Sequence, residues 1–238
     1  MMTDFLHGAG ALLLYFVIAA GTALTCRMMI RIPDELFRKI LHCILLGSLP
    51  VFVFCFQIWW ISALASLLFA AAVYPALAYF ERFQGFSELT TERRHGELKA
   101  SLLLVFTMFA VVIAVCWGWL GDRHLVLASI YAWGFGDAAA ALVGKRFGVH
   151  KIHWKYVDGK KSAEGSAAMF LTSLVSVAAI LLWRGGLSIA GCIAIPLVTA
   201  LTSAAAELYS RDGMDTVICP ISAMVILLPL VHLFGGLA

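Results

Sequence analysis

The chain has 238 residues, 62% of them hydrophobic and 13% charged, with a net charge of +3 and a mean hydropathy of +0.94. Soluble domains carry roughly 45–50% apolar and about 25% charged residues, so this composition excludes a water-soluble globular fold and points to an all-α, polytopic membrane helix bundle. With no long basic tract and no zinc-finger or RNA-binding signature, the sequence also argues against a nucleic-acid partner.

A membrane-crossing helix needs about 20 apolar residues, each rising 1.5 Å through a core roughly 30 Å thick. Eight such runs are predicted, over 8–26, 40–56, 58–80, 100–120, 125–143, 165–183, 187–206 and 216–234. The first lacks the basic flank and cleavage site of a signal peptide and is expected to stay as an anchor. The second and third form one almost unbroken apolar stretch over 40–80, about 60 Å if helical throughout and too long for a single span. Gln57, Trp59 and Trp60 mark the expected hairpin between them, because Trp favours the headgroup level. The six cysteines are scattered through apolar runs without a CxxC and read as small helix side chains.

Basic residues set the expected orientation. Fifteen of the seventeen fall in the loops between spans one and two, three and four, five and six, and seven and eight; Arg123 and Arg184 alone fall on the other side. This asymmetry predicts a multi-pass protein with four cytoplasmic loops and both termini on the non-cytoplasmic face. No repeat or Ser/Gly/Pro linker divides the chain. The polar segments 81–99 and 144–164 are too short to be separate domains, so 1–238 reads as one integral membrane domain.

The residues able to do chemistry gather in those four loops. Arg38, Lys39 and His42 open span two, with His42 four positions past Arg38 on the same helical face; they serve either orientation or phosphate binding. The run Arg93-Arg94-His95-Gly96-Glu97-Leu98-Lys99 reads as a solvated loop with a helix start, Glu97 favouring the helix dipole. The third cluster is the richest. It runs Gly134-Phe135-Gly136-Asp137, then Gly144-Lys145-Arg146-Phe147-Gly148, then Gly159-Lys160-Lys161-Ser162-Ala163-Glu164-Gly165-Ser166. Asp137 lies about two turns inside span five, roughly 10 Å from Gly144. A carboxylate there is costly unless paired or bound to a metal. Gly134 and Gly136 let the backbone open beside Asp137 or let another helix approach. The following loop is either a topological or anionic-lipid anchor or a polyphosphate clamp. In the fourth cluster Asp212 favours a turn, while Glu207 and Asp215 flank it. The latter two are placed to join Asp137 around a divalent ion, since Mg²⁺ commonly takes one or two carboxylates plus substrate phosphates. Walker A, protein-kinase, HExxH and GxSxG motifs are absent.

Together the third cluster, Arg38-Lys39-Ile40-Leu41-His42, Gly96-Glu97 and Gly213-Met214-Asp215-Thr216-Val217-Ile218-Cys219-Pro220 resemble the membrane lipid-alcohol kinases. That family comprises dolichol and polyprenol kinases, phytol kinases and CTP-dependent diacylglycerol kinases. The resemblance covers 38–220, with Thr216 where the family usually has Asn. It implies phosphoryl transfer at the cytoplasmic membrane face from CTP, with ATP as the alternative donor, to a lipid alcohol in the bilayer. It implies Mg²⁺ or another divalent cation held by Asp137 and Asp215, with Glu207 next. Lys145, Arg146, Lys160, Lys161 and Ser162, with Arg38, Lys39 and His42, would bind the nucleotide phosphates. Glu164 would orient a lysine or act as the base, a role for which Asp137 is the other choice. Glu97, Gly136, Gly144, Gly148 and Gly165 complete the family's pattern. The third cluster also resembles phosphatidate cytidylyltransferase, whose late motif differs from the Arg211-Asp212-Gly213-Met214-Asp215 found here. A transporter is the reading from a different class; it would need polar groups at the bilayer midplane, whereas these acids gather toward one face. The sequence does not fix the oligomeric state.

Overall fold

The computed structural model describes residues 1–82, 96–155, 157, 159–210 and 213–234. Among them every regular element is helical and eight helices are long and apolar enough to cross a membrane, as an integral membrane protein requires. The chain forms two compact units, Met1–Ala114 and Val115–Ala238. The division falls inside a continuous apolar helical run, so no change of composition marks it.

The first unit holds α1 (Met2–Met29), α2 (Asp34–Gly47), α3 (Trp59–Phe80) and α4 (Glu97–Val112). α2 is interrupted at Ser48 and continues as a π-helical turn, Val51–Cys55. Pro50 is the reason: it has no N–H to give Leu46 O four residues back, and Ser48 Oγ donates to the neighbouring Leu45 O at 2.7 Å. Phe56 and Ile58 are extended and Trp59 opens α3, so the hairpin expected at 57–60 is present. The core is aromatic, with Phe16 stacked on Phe69 at 4.7 Å and Phe106 meeting Phe69, Phe109 and Phe52 at 5.0, 5.5 and 5.8 Å. Buried hydroxyls tie helices to one another: Ser62 donates to Phe52 O and Ser66 to Phe106 O, at 2.6 and 2.7 Å.

The second unit is a bundle of α5 (Arg123–Phe147), α6 (Ala163–Arg184), α7 (Ile189–Tyr209) and α8 (Asp215–Leu233), with α5 packed against all three others. Three of these helices start at a side-chain cap, which satisfies amide groups the helix itself leaves unpaired. Asp122 accepts from His124 N, Ser162 from Gly165 N and Ser188 from Gly191 N. Asp122 also takes Arg184 Nε at 2.5 Å, joining the start of α5 to the end of α6. α5 runs four residues past the expected end of span five. Asp137 is therefore ten residues, about 15 Å, from the helix terminus rather than two turns from it.

Candidate active site

Three acidic residues on three helices lie within electrostatic reach in the second unit, Asp137 and Asp215 each of Glu207. Asp137 is half-buried on α5, Glu207 sits in the last turn of α7, and Asp215 is the first residue of α8. An acid at the start of a helix is favoured by its dipole and one at the end is not. Lys161 offsets the second case. Its Nζ lies 2.7 Å from Glu207 Oε1 and also donates to the Glu207 backbone carbonyl. Only 18% of the lysine side chain and 12% of the glutamate are exposed, so the pair is largely withdrawn from solvent. Ser210 Oγ donates to the same carbonyl at 2.8 Å. Asp137 and Asp215 both lie within electrostatic range of Glu207, and buried Cys219 feels the charge of all three acids and of Lys161.

Trp133 completes this cluster and was not foreseen from the sequence. Its Nε1 donates to Asp215 Oδ2 at 3.3 Å, and its ring is 1% exposed. The signal was available: Trp133 precedes Asp137 by four positions and so shares its helical face, and a buried indole N–H usually finds an acceptor.

Asp137, Glu207 and Asp215 offer hard oxygen donors. Among the described residues no three His, Cys, Asp or Glu side chains stand close enough to hold an ion by themselves. A Mg²⁺ bound there would need phosphate oxygens and water to complete its shell beyond one or two of these carboxylates.

The basic loop between α5 and α6 folds back on itself. Lys151 and Ser162 form an isolated antiparallel bridge, Ile152 N donates to Lys161 O at 3.0 Å and Ala163 N to His150 O at 2.9 Å. Glu164 fastens the base of the loop, accepting from His150 N at 3.2 Å with His150 Nδ1 2.6 Å from its Oε1. Glu164 therefore turns to His150, and the lysine orientation expected of it falls to Glu207. Lys145 and Arg146 stand exposed on the last turn of α5 rather than in the loop, and Lys160 is exposed beside Lys161.

Ser162 is 3% exposed, and its oxygen accepts from Gly165 N at the α6 cap, which leaves the hydroxyl its own donor. The glycines around it serve close packing. A Cβ on Gly144 would lie 3.3 Å from Ser162 Oγ, on Gly148 2.6 Å from it, and on Gly165 3.0 Å from Ala140 O. Gly136 lets α6 approach α5: a Cβ there would lie 2.7 Å from Ser173 Oγ and collide with Met169. Of the two roles expected for glycine beside Asp137, helix approach is the one observed.

Arg38, Lys39, His42 and Glu97 belong to the first unit. Arg38, Lys39 and His42 are half-buried on α2, with Arg38 bound to Glu35 at 3.0 Å. Glu97 is the first residue of α4, behind Gly96 at φ +83, a left-handed conformation that glycine adopts without strain. Arg93, Arg94, His95, Arg211 and Asp212 lie outside the described residues.

No family model matches the sequence, and no solved structure matches the chain. Curated proteins do. A phytol kinase from Synechocystis is 30% identical over 200 residues, which span 82% of this chain and 78% of that protein. A probable chloroplastic phytol kinase from Triticum aestivum is 28% identical over 195 residues, 74% of this chain and 59% of the wheat protein. With this likeness spread over most of the chain, and an all-helical fold with eight helices able to span a membrane, the protein belongs to the membrane lipid-alcohol kinase family.

Proposed function

We propose that the protein transfers the terminal phosphoryl group of CTP to the primary hydroxyl of phytol or a close isoprenoid alcohol, at the cytoplasmic boundary of the membrane. The observation that carries this reading is the presence of Asp137, Asp215 and Lys161 within electrostatic reach of Glu207 in the second unit. The phytol kinases to which the chain is similar support the acceptor. CTP rests on the resemblance of the Lys160-Lys161-Ser162-Ala163-Glu164-Gly165 segment to CTP-using relatives.

In this mechanism Lys145, Arg146, Lys160 and Lys161 hold the phosphates. A lysine ammonium has three donors, and Lys161 commits two of them to Glu207, leaving one for a phosphate oxygen. The acceptor oxygen attacks the γ-phosphorus, and the bond from that phosphorus to the bridging oxygen breaks. CDP leaves with the electron pair, and the hydroxyl proton passes to a carboxylate. Asp137 is the better base, because it lies in the acidic cluster while Glu164 is tied to His150. Asp137 and Asp215 would hold Mg²⁺, which when bound neutralises charge developing on the transferring phosphoryl group.

The deciding assay offers purified protein γ-labelled or α-labelled CTP, or ATP, with phytol, a polyprenol, diacylglycerol or phosphatidate. Label from the γ-position appearing in phytyl phosphate is the expected result. Transfer of the α-label to phosphatidate would replace the kinase reading with a cytidylyltransferase.

A further inference from the structure

Hydroxyl groups in the apolar parts of this protein commonly satisfy themselves on their own helix. Thr25 donates to Gly21 O at 2.8 Å, Thr107 to Leu103 O at 2.7 Å, Ser129 to Leu125 O at 2.8 Å and Thr202 to Val198 O at 2.9 Å. Thr199 and Ser203, on the same helix as Thr202, do not. Both are 0% exposed, and neither hydroxyl has a hydrogen-bond partner among the described residues. Ser166 Oγ on α6 is a third buried hydroxyl oxygen in this condition. A buried polar group left unpaired costs about 1–3 kcal/mol. Thr202 shows that the carbonyls of α7 are open to a hydroxyl, so the inward-facing pair stands apart for a reason other than chemistry.

Their placement supplies that reason. Positions 199, 203 and 207 are four apart, so they share one helical face and rise about 6 Å per step. Glu207 on that face holds Lys161 and stands within electrostatic range of Asp137 and Asp215. Ser203 therefore lies about one turn deeper than the charged cluster and Thr199 about two. α6 packs on α7, and Ser166 lies in the first turn of α6, four positions past the Ser162 cap.

We infer that Ser203, one turn from Glu207 on the same face, hydrogen-bonds the hydroxyl of the lipid acceptor beside the charged cluster, with Thr199 one turn further along the path of the lipid, an inference that rests on the lipid-alcohol kinase reading. A primary alcohol has one O–H donor and two lone pairs, as serine and threonine do. It can therefore both give a hydrogen bond to this column and take one from it. The site favours an uncharged alcohol: Ser203 and Thr199 carry no cation for an anionic headgroup, and the nearest charged group on their helical face is the acid Glu207.

The test uses Ser203→Ala and Thr199→Val in the full-length protein reconstituted in lipid nanodiscs. Four quantities are read: the KM for phytol, the KM for CTP, the melting temperature, and the site of crosslinking of a phytol analogue with a diazirine next to its carbinol carbon. Ser203→Ala is expected to raise the KM for phytol about tenfold, the effect of one lost hydrogen bond to substrate. The KM for CTP should stay unchanged. The melting temperature should hold or rise, because the hydroxyl removed has no protein partner. The crosslink should map to 197–206. An unchanged KM for phytol with crosslinking elsewhere would overturn the site and leave the hydroxyls to buried water. A lower melting temperature with both KM values unchanged would also overturn it, as a structural role. Crosslinking at 197–206 in a wild-type protein that phosphorylates no alcohol would retain an alcohol-binding site and sink the kinase reading instead.

Discussion

Lys161 Nζ stands 2.7 Å from Glu207 Oε1 and donates as well to the Glu207 backbone carbonyl, so one loop lysine neutralises a helix-end acid and closes the end of α7. The last carbonyls of a helix have no partner within it, and a carboxylate near them is repelled by the dipole.

Breaking that pair separates structure from chemistry. Lys161→Met leaves a mostly buried carboxylate alone. Removing one partner of a fully buried pair costs about 3–5 kcal/mol; this pair is partly exposed, so a loss of about 2 kcal/mol is expected. The double variant Lys161→Met/Glu207→Gln should recover most of that stability without recovering activity, since the cation for phosphate is still missing. Thermal unfolding beside turnover at saturating CTP reads both effects. A double variant that regained wild-type turnover would confine Lys161 to a structural role.

Trp133→Phe removes the indole donor to Asp215 and keeps an aromatic ring in the buried site. A hydrogen bond to a charged group is worth about 1.5–3 kcal/mol, and at 3.3 Å the lower end applies. The expected outcome is about a tenfold loss in kcat/KM, with more Mg²⁺ needed for half-maximal rate and the melting temperature little changed. An unaltered Mg²⁺ dependence would mean that the indole packs without positioning Asp215.

Hydropathy was enough to place the eight helices and the Trp59 hairpin, because spanning imposes a length and an apolar content that any sequence must display. The chemistry-bearing segment was legible too, since acids and lysines stand out against an apolar background. Partnerships were not. Lys161 and Glu207 are 46 positions apart, and nothing local distinguishes Glu207 from Glu164 as the partner. The same limit hid the tie between His150 and Glu164 and the capping duty of Ser162, which depend on how the loop folds back. Gly144 was expected to open the basic loop, after a span ending at 143. It lies inside α5 because Ser162 and Gly165 need the space a side chain would fill.

Gly136→Ala tests that packing next to the acidic cluster. The added carbon would sit 2.7 Å from Ser173 Oγ and collide with Met169, which is fully buried. Overpacking of this kind costs about 1–3 kcal/mol. The variant should be destabilised by that amount, with turnover falling as α5 and α6 separate. Gly10→Ala is the control, since its Cβ would meet nothing within 4 Å. It should be neutral or slightly stabilising, because alanine favours the helix. Equal effects at the two positions would show that α6 yields at Gly136 without strain.

Asp137→Asn decides whether the half-buried acid of α5 does chemistry. Asparagine keeps the size and a hydrogen-bonding oxygen but loses the charge and most of the basicity. As a metal ligand and base, Asp137 should leave, on substitution, a folded and membrane-inserted protein whose turnover falls at least a hundredfold, about 2.7 kcal/mol of transition-state stabilisation. Added Mg²⁺ should no longer raise the melting temperature of the protein–CTP mixture, because a ligand stabilises only the state that binds it. As one half of a structural ion pair, Asp137 would behave otherwise: its loss would strand a buried cation, cost about 3–5 kcal/mol and lower activity only in step with the folded fraction. Measuring melting temperature and turnover across a Mg²⁺ series separates the two. Wild-type turnover in Asp137→Asn would take the residue out of the site and move the proton transfer to Asp215 or Glu207, the other carboxylates in the cluster.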